Sequence, residues 1–196
     1  MKTERLLPLL VGILLLAQAV LALLSWFLSA TSMEGSVRTL ISAEGVRWFC
    51  ATLTHVVGSP LLGCLVLLAM AWGTVSRSRL VAPQTHTARR RLALRMAVVV
   101  LLVCLALIAM LAFVPHAMLL SATGHLWPSP FSRALVPLFC LCTIAVAAVY
   151  GRASRAFLSF ADVVRSWAAG VASASPLLVL YVFAVVFYAS LRFVFQ

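Results

Sequence analysis

The chain has very few acidic residues, with four Asp and Glu against fifteen Lys and Arg among its 196 residues. Charged residues of both signs make up 10% of the sequence, whereas a soluble domain has about 25%. The four acids are Glu4, Glu34, Glu44 and Asp162, and none lies in the middle of an apolar run. The shortage excludes an ordinary soluble domain and disfavours an ion relay built on buried carboxylates.

Patterns that mark catalytic or metal sites are also missing. The four histidines and five cysteines form no HExxH or CxxC motif, and there is no nucleophile–base pair, carboxylate dyad or phosphate-binding loop. We therefore predict no enzymatic activity, no cofactor and no metal. Metal ligation by His116 and His125, which flank one predicted loop, is the alternative to two solvated histidines.

Apolar residues dominate the chain, at 64% of the sequence and a mean hydropathy of +1.14. A helix needs about 20 residues to cross the hydrocarbon core, and five apolar runs approach or exceed that length. We predict an all-α integral membrane protein with one membrane domain and five spans; four and six spans are alternatives. The predicted spans are 6–29, 57–75, 92–114, 134–150 and 171–191.

Three further segments are predicted to lie outside the hydrocarbon core. Residues 38–56 and 155–169 have one apolar side and one charged side, which predicts two amphipathic helices at the membrane interface. The segment 124–131 contains two prolines and is predicted to be a loop. The first apolar run exceeds the roughly 7–15 residues of a signal peptide, so we predict a retained helix rather than a cleaved leader.

The net charge of +11 is concentrated beside the predicted spans. With the N-terminus inside, eleven Lys and Arg lie in cytoplasmic segments and four outside, which predicts a cytoplasmic N-terminus and an exterior C-terminus. We interpret the charge as a determinant of topology and a contact for anionic lipid of the bilayer, rather than a nucleic-acid surface. The arginines that dominate the count are Arg77, Arg79, Arg89, Arg90, Arg91 and Arg95.

Small residues recur along the second and fifth spans, including Gly63, Gly73 and Gly170. Such residues let helices approach closely in lipid. We predict packing within one chain, with a homo-oligomer or a partner membrane subunit as the alternative.

Three stretches carry ordered motifs. The first has Glu-Gly-x-x-Trp and then a proline that opens a span; the second has Pro-Ser-Pro-Phe, Val-Pro and Tyr-Gly; the third, residues 155–195, has Asp-Val and Phe-Ala-x-x-Phe. In their order and spacing they resemble the AbgT family of p-aminobenzoyl-glutamate transporters. The motif positions of the first two stretches are Glu44, Gly45, Trp48, Pro60, Gly63, Pro128, Ser129, Pro130, Phe131, Pro137, Tyr150 and Gly151.

The resemblance implies a multi-pass protein of the bacterial inner membrane that handles a small anionic substrate. The resemblance implies an elevator-like dimer whose subunits contain re-entrant hairpins. This chain resembles a shortened member of the family that lacks the hairpin regions. The family's polar or aromatic residues are replaced at Val186, Arg192 and Phe193, so no substrate-binding residue is assigned. The resemblance favours transport that is incomplete in this chain alone; a membrane scaffold without transport is the alternative.

Overall fold

The computed structural model describes residues 2–31, 39–80, 88–113 and 130–195. This part of the chain is helical and contains no strand, which confirms the all-α prediction. The helices are α1 (Lys2–Thr31), α2 (Ala43–Val57), α3 (Pro60–Ser78), α4 (Ala88–Phe113), α5 (Pro130–Ala153) and α6 (Phe160–Phe195).

Five helical segments of the described chain are long and apolar enough to cross a membrane, as predicted. Only 6% to 28% of the most apolar stretch of each segment is buried inside the protein. The remaining apolar side chains face outward, which is costly in water and favourable in lipid. The segments are Leu6–Thr31, Ala43–Ser78, Ala88–Met110, Ala134–Ala153 and Phe160–Phe195.

The junction between α2 and α3 follows from capping residues. The hydroxyl of Ser42 accepts a hydrogen bond from the backbone N–H of Gly45 at 3.0 Å, which starts α2 at Ala43. Gly58 caps the other end, and Pro60 occupies the first position of α3, where its missing N–H costs nothing. The helix predicted over 38–56 therefore begins five residues later than its apolar pattern.

The C-terminal region differs from the prediction of separate helices at 155–169 and 171–191. Residues 160–195 form the single helix α6, whose 36 residues extend about 54 Å at 1.5 Å per residue. Gly170 does not interrupt it and packs against α3. Residues 154–159 are not helical and connect α5 to α6.

Contacts divide the chain into two units, the first comprising 1–63 and 174–196. Its core contains Leu21, Leu40, Phe193 and Val194. The indole of Trp48 stacks on the Phe193 ring, with centroids 4.3 Å apart and an interplanar angle of 21°. This core joins α1, α2 and the end of α6.

The second unit comprises 64–173 and holds two buried clusters. One cluster contains Ala71 of α3 and Cys140 and Ile144 of α5, with Trp167 of α6 packed against it. The other joins Ala93 and Ala97 of α4 to Tyr150 of α5. Close packing in this unit brings together the ends of helices whose residues are far apart in sequence.

Candidate functional site

A cleft of about 630 Å³ lies in the second unit, where α3 and α5 end and α6 begins. Its volume is within the roughly 300–1,000 Å³ of small-molecule sites. Arginines and hydroxyl-bearing side chains dominate its lining. The lining residues are Ser76, Arg77, Ser78, Arg79, Tyr150, Ser154, Arg155, Ala156, Phe157, Asp162 and Arg165.

Two of the cleft arginines have left-handed backbone conformations, with φ of 58° at Arg79 and 62° at Arg155. Among the described residues other than glycine, these are the two with positive φ. Each arginine follows the end of a helix, where the chain must turn and glycine is the usual residue. An arginine at such a position costs about 1–2 kcal/mol of backbone energy relative to glycine. Both strained positions therefore carry a cation into the same cleft.

The turn after α5 is held by backbone hydrogen bonds and by one aromatic ring. The N–H of Ser154 donates to the carbonyl of Tyr150 at 2.8 Å, and the N–H of Phe157 donates to the carbonyl of Gly151 at 3.0 Å. The Phe157 ring is buried directly against Gly151, in space that a Cβ atom at Gly151 would occupy. Arg155 lies within this turn, so the packing of Phe157 helps to fix its position.

The first turn of α6 places the one acidic residue of the cleft. The carboxylate of Asp162 accepts hydrogen bonds from the backbone N–H groups of Leu158 and Ser159, at 3.0 and 2.9 Å. This is the return half of a capping box, in which the third helical residue bonds back to the cap. Asp162 also forms an ion pair with Arg165 at 3.4 Å. The carboxylate is therefore largely occupied by α6 itself.

The cleft keeps a positive charge after these contacts are counted. Four arginines face one carboxylate, which leaves a net charge of +3. The C-termini of α3 and α5 contribute about −0.5 each and the N-terminus of α6 about +0.5, so roughly +2.5 remains. Arginine guanidinium groups and serine hydroxyls donate hydrogen bonds to oxyanions. The geometry and charge suit the binding of an anion.

The AbgT transporter family model matches residues 72–194. The chain belongs to the AbgT transporter family. Its role is therefore membrane transport, and the family resemblance of the sequence is confirmed. No curated protein and no solved structure matches the chain.

The AbgT motif positions do not converge on one site. Tyr150 lines the cleft, and Gly151 lies against the buried ring beside it. Pro130 and Phe131 begin α5, and Pro137 lies inside that helix without ending it. Pro128 and Ser129 fall outside the described residues.

The first AbgT motif lies in the first unit and precedes the matched region. Gly45 is buried, and a Cβ atom there would lie 2.6 Å from the carbonyl oxygen of Leu40. Glu44 is exposed in the first turn of α2, and Trp48 packs on Phe193. Gly45 and Trp48 therefore contribute to the packing of the first unit rather than to the cleft. Pro60 opens α3, while Gly63 has open space beside it.

The six arginines that dominate the topology count separate into two groups. Arg77 and Arg79 line the cleft, whereas Arg89, Arg90, Arg91 and Arg95 lie in the first two turns of α4 and do not line it. The cleft receives Arg155 and Arg165 from the connection and helix that follow α5. Sequence reasoning counted these two cations as inside but did not place them beside Arg77.

A polar pair inside the apolar helices was not identified from the sequence. The amide of Gln18 in α1 donates to the hydroxyl of Ser190 in α6 at 2.8 Å. The other amide atom of Gln18, Oε1, is buried with no hydrogen-bond partner among the described residues. The available signal was one glutamine in the 24-residue apolar run of α1, since polar side chains in spans tend to bond across helices.

Proposed function

We propose that this AbgT family member takes part in the transport of p-aminobenzoyl-glutamate, or of a related folate-like anion, across a bacterial inner membrane. The family match over residues 72–194 is the observation that carries this proposal. The match includes the end of α3 and all of the described residues of α4 and α5, together with nearly all of α6.

The proposed orientation has the N-terminus in the cytoplasm and the C-terminus outside. Its support is the excess of Lys and Arg in the segments that this topology places inside. The cleft adds support, because Arg77 and Arg79 after one span share it with Arg155 and Arg165 before another. All four arginines belong to segments assigned to the cytoplasmic side.

Transport by this chain is proposed to require a partner membrane subunit. Substrate sites of secondary transporters lie near the bilayer midplane and use broken helices or fixed charges. In the described residues, no Asp, Glu, Lys or Arg lies in the middle of a span, and His55 lies in the last turn of α2. Pro137 and Pro176 are accommodated within continuous helices. The cleft lies at helix ends, so it is not assigned as the midplane site.

Uptake and efflux of labelled p-aminobenzoyl-glutamate test this function. The chain is expressed alone and with the membrane proteins encoded beside it, and the measurement is repeated in proteoliposomes. We expect little flux from the chain alone and substrate-dependent flux when the partner is present. Accumulation by the chain alone would contradict the need for a partner. Absence of both binding and flux in every combination would favour the scaffold alternative.

A further inference from the structure

The basic cleft has exposed apolar side chains next to it. Leu158, in the connection between α5 and α6, is 75% exposed, and Phe160, the first residue of α6, is 70% exposed. A soluble anion site has no need of large apolar groups at its edge. A membrane lipid has a charged headgroup attached to apolar chains, so it would contact both features at once.

We propose that the cleft binds the phosphate headgroup of an anionic phospholipid, with Leu158 and Phe160 contacting its acyl region. Three observations carry this inference: the excess positive charge in a cavity of about 630 Å³, the apolar edge, and the position at the ends of spanning helices. Basic pockets between spans bind anionic lipid headgroups in this way.

The backbone of the cleft supports a binding role for two of its arginines. Arg79 and Arg155 occupy left-handed positions at which glycine would be favoured on conformational grounds alone. Residues held in such conformations cluster at active sites and ligand sites, and they persist where the surrounding structure holds them in place. Substitution of both arginines by glycine should therefore remove two cations and relieve strain, without loss of the fold.

The shared chemistry of the candidate ligands is a phosphate group, which a lipid or a soluble phosphate could supply. Purified full-length chain in neutral detergent is incubated with phosphatidylglycerol, phosphatidylcholine, glycerol 3-phosphate, inorganic phosphate or p-aminobenzoyl-glutamate. Retained ligand is counted by native mass spectrometry and binding is titrated by tryptophan fluorescence. We expect saturable binding of phosphatidylglycerol, weak binding of the soluble phosphates and none of phosphatidylcholine.

The decisive variant is Arg79→Gly/Arg155→Gly, and its matched control is Arg89→Gln/Arg91→Gln. Both variants remove two arginines assigned to the same membrane side, but the control residues are exposed on α4 and do not line the cleft. Each cation near a lipid surface contributes about fivefold, so the cleft variant, which lacks two, should bind phosphatidylglycerol about 25-fold more weakly. At about 0.5 M salt, where exposed charges are strongly screened, the control should bind like the parent.

Several outcomes would overturn the proposal. Equal losses in the cleft variant and the control would indicate diffuse surface attraction rather than a site. Unchanged binding in the glycine variant, with its thermal stability retained, would exclude the two arginines. Glycerol 3-phosphate binding as tightly as the lipid would assign the cleft to a soluble phosphate. Displacement of the lipid by p-aminobenzoyl-glutamate would assign it to a carboxylate substrate.

Discussion

A close helix contact in the second unit joins Gly73 of α3 to Gly170 of α6. A Cβ atom added at Gly73 would lie 2.6 Å from the Cα of Gly170 and 2.8 Å from its nitrogen. These are backbone atoms, so they cannot rotate away as a side chain would. An alanine at either position must therefore push the two helices apart.

The required shift can be estimated from the same contact. Ordinary van der Waals contact begins at 3.4 Å, so a Cβ atom at 2.6 Å must move by about 0.8 Å. A gap of 0.5–1 Å forfeits about a quarter to a half of each dispersion contact that it opens. Trp167 and Leu67, which pack in the adjoining cluster, would lose part of their contacts. Overpacking of this kind costs about 1–3 kcal/mol.

The matched control is Gly63→Ala in the same helix, because nothing lies within 4 Å of a Cβ atom at Gly63. That substitution should stabilise the protein by about 0.5–1 kcal/mol, through the helix propensity of alanine. Gly73→Ala and Gly170→Ala should each lower the thermal midpoint, measured by circular dichroism or by size exclusion after heating in detergent. The two changes share one contact, so the double variant should lose less than the sum of the single losses. Wild-type stability of Gly73→Ala would refute the close approach.

Three further predictions concern other parts of the chain. Ser190→Ala should lower the free energy of unfolding by about 1 kcal/mol, because it leaves the Gln18 amide buried without its partner. The double variant Gln18→Leu/Ser190→Ala should recover most of that loss in the same unfolding assay. Asp162→Asn should destabilise the start of α6, because a neutral amide is a weaker acceptor for the two backbone N–H groups. We expect faster hydrogen exchange at the Ser159 amide, and an unaltered exchange rate would contradict this prediction. A cysteine at Gln84 should react with an impermeant thiol reagent only after the cytoplasmic side is opened, and labelling from outside in intact cells would reverse the proposed topology.

Composition and hydrophobic runs were sufficient to predict the helical class and the number of spans. Lipid-facing helices such as α4 need only length and apolar character, and their limits followed the runs to within a few residues at most described ends. The limits of α6 could not be predicted in the same way. Gly170 lies where the sequence analysis separated two helices, but α6 continues through it and packs there against Gly73.

The cleft could be predicted only in part. The charge count identified Arg77 and Arg79 as cations beside a span, since that property is local in sequence. Arg77 and Arg79 lie near Arg155 and Arg165 only because of how α3 packs against α5 and α6. No local sequence pattern predicts that packing. The left-handed conformations of Arg79 and Arg155 could not be predicted from the sequence, because glycine is the residue usually found at such positions.

The hydrogen bond between Gln18 and Ser190 has a consequence for how the protein is made. Its partners are 172 residues apart, so α1 leaves the ribosome well before α6 is made. At about 5–20 residues per second, that interval lasts roughly 10–35 s. During this time the Gln18 amide lacks its Ser190 partner, so we expect α1 to be accessible to insertases, to proteases and to another nascent chain. The first unit is therefore completed only after α6 has been made, long after α1.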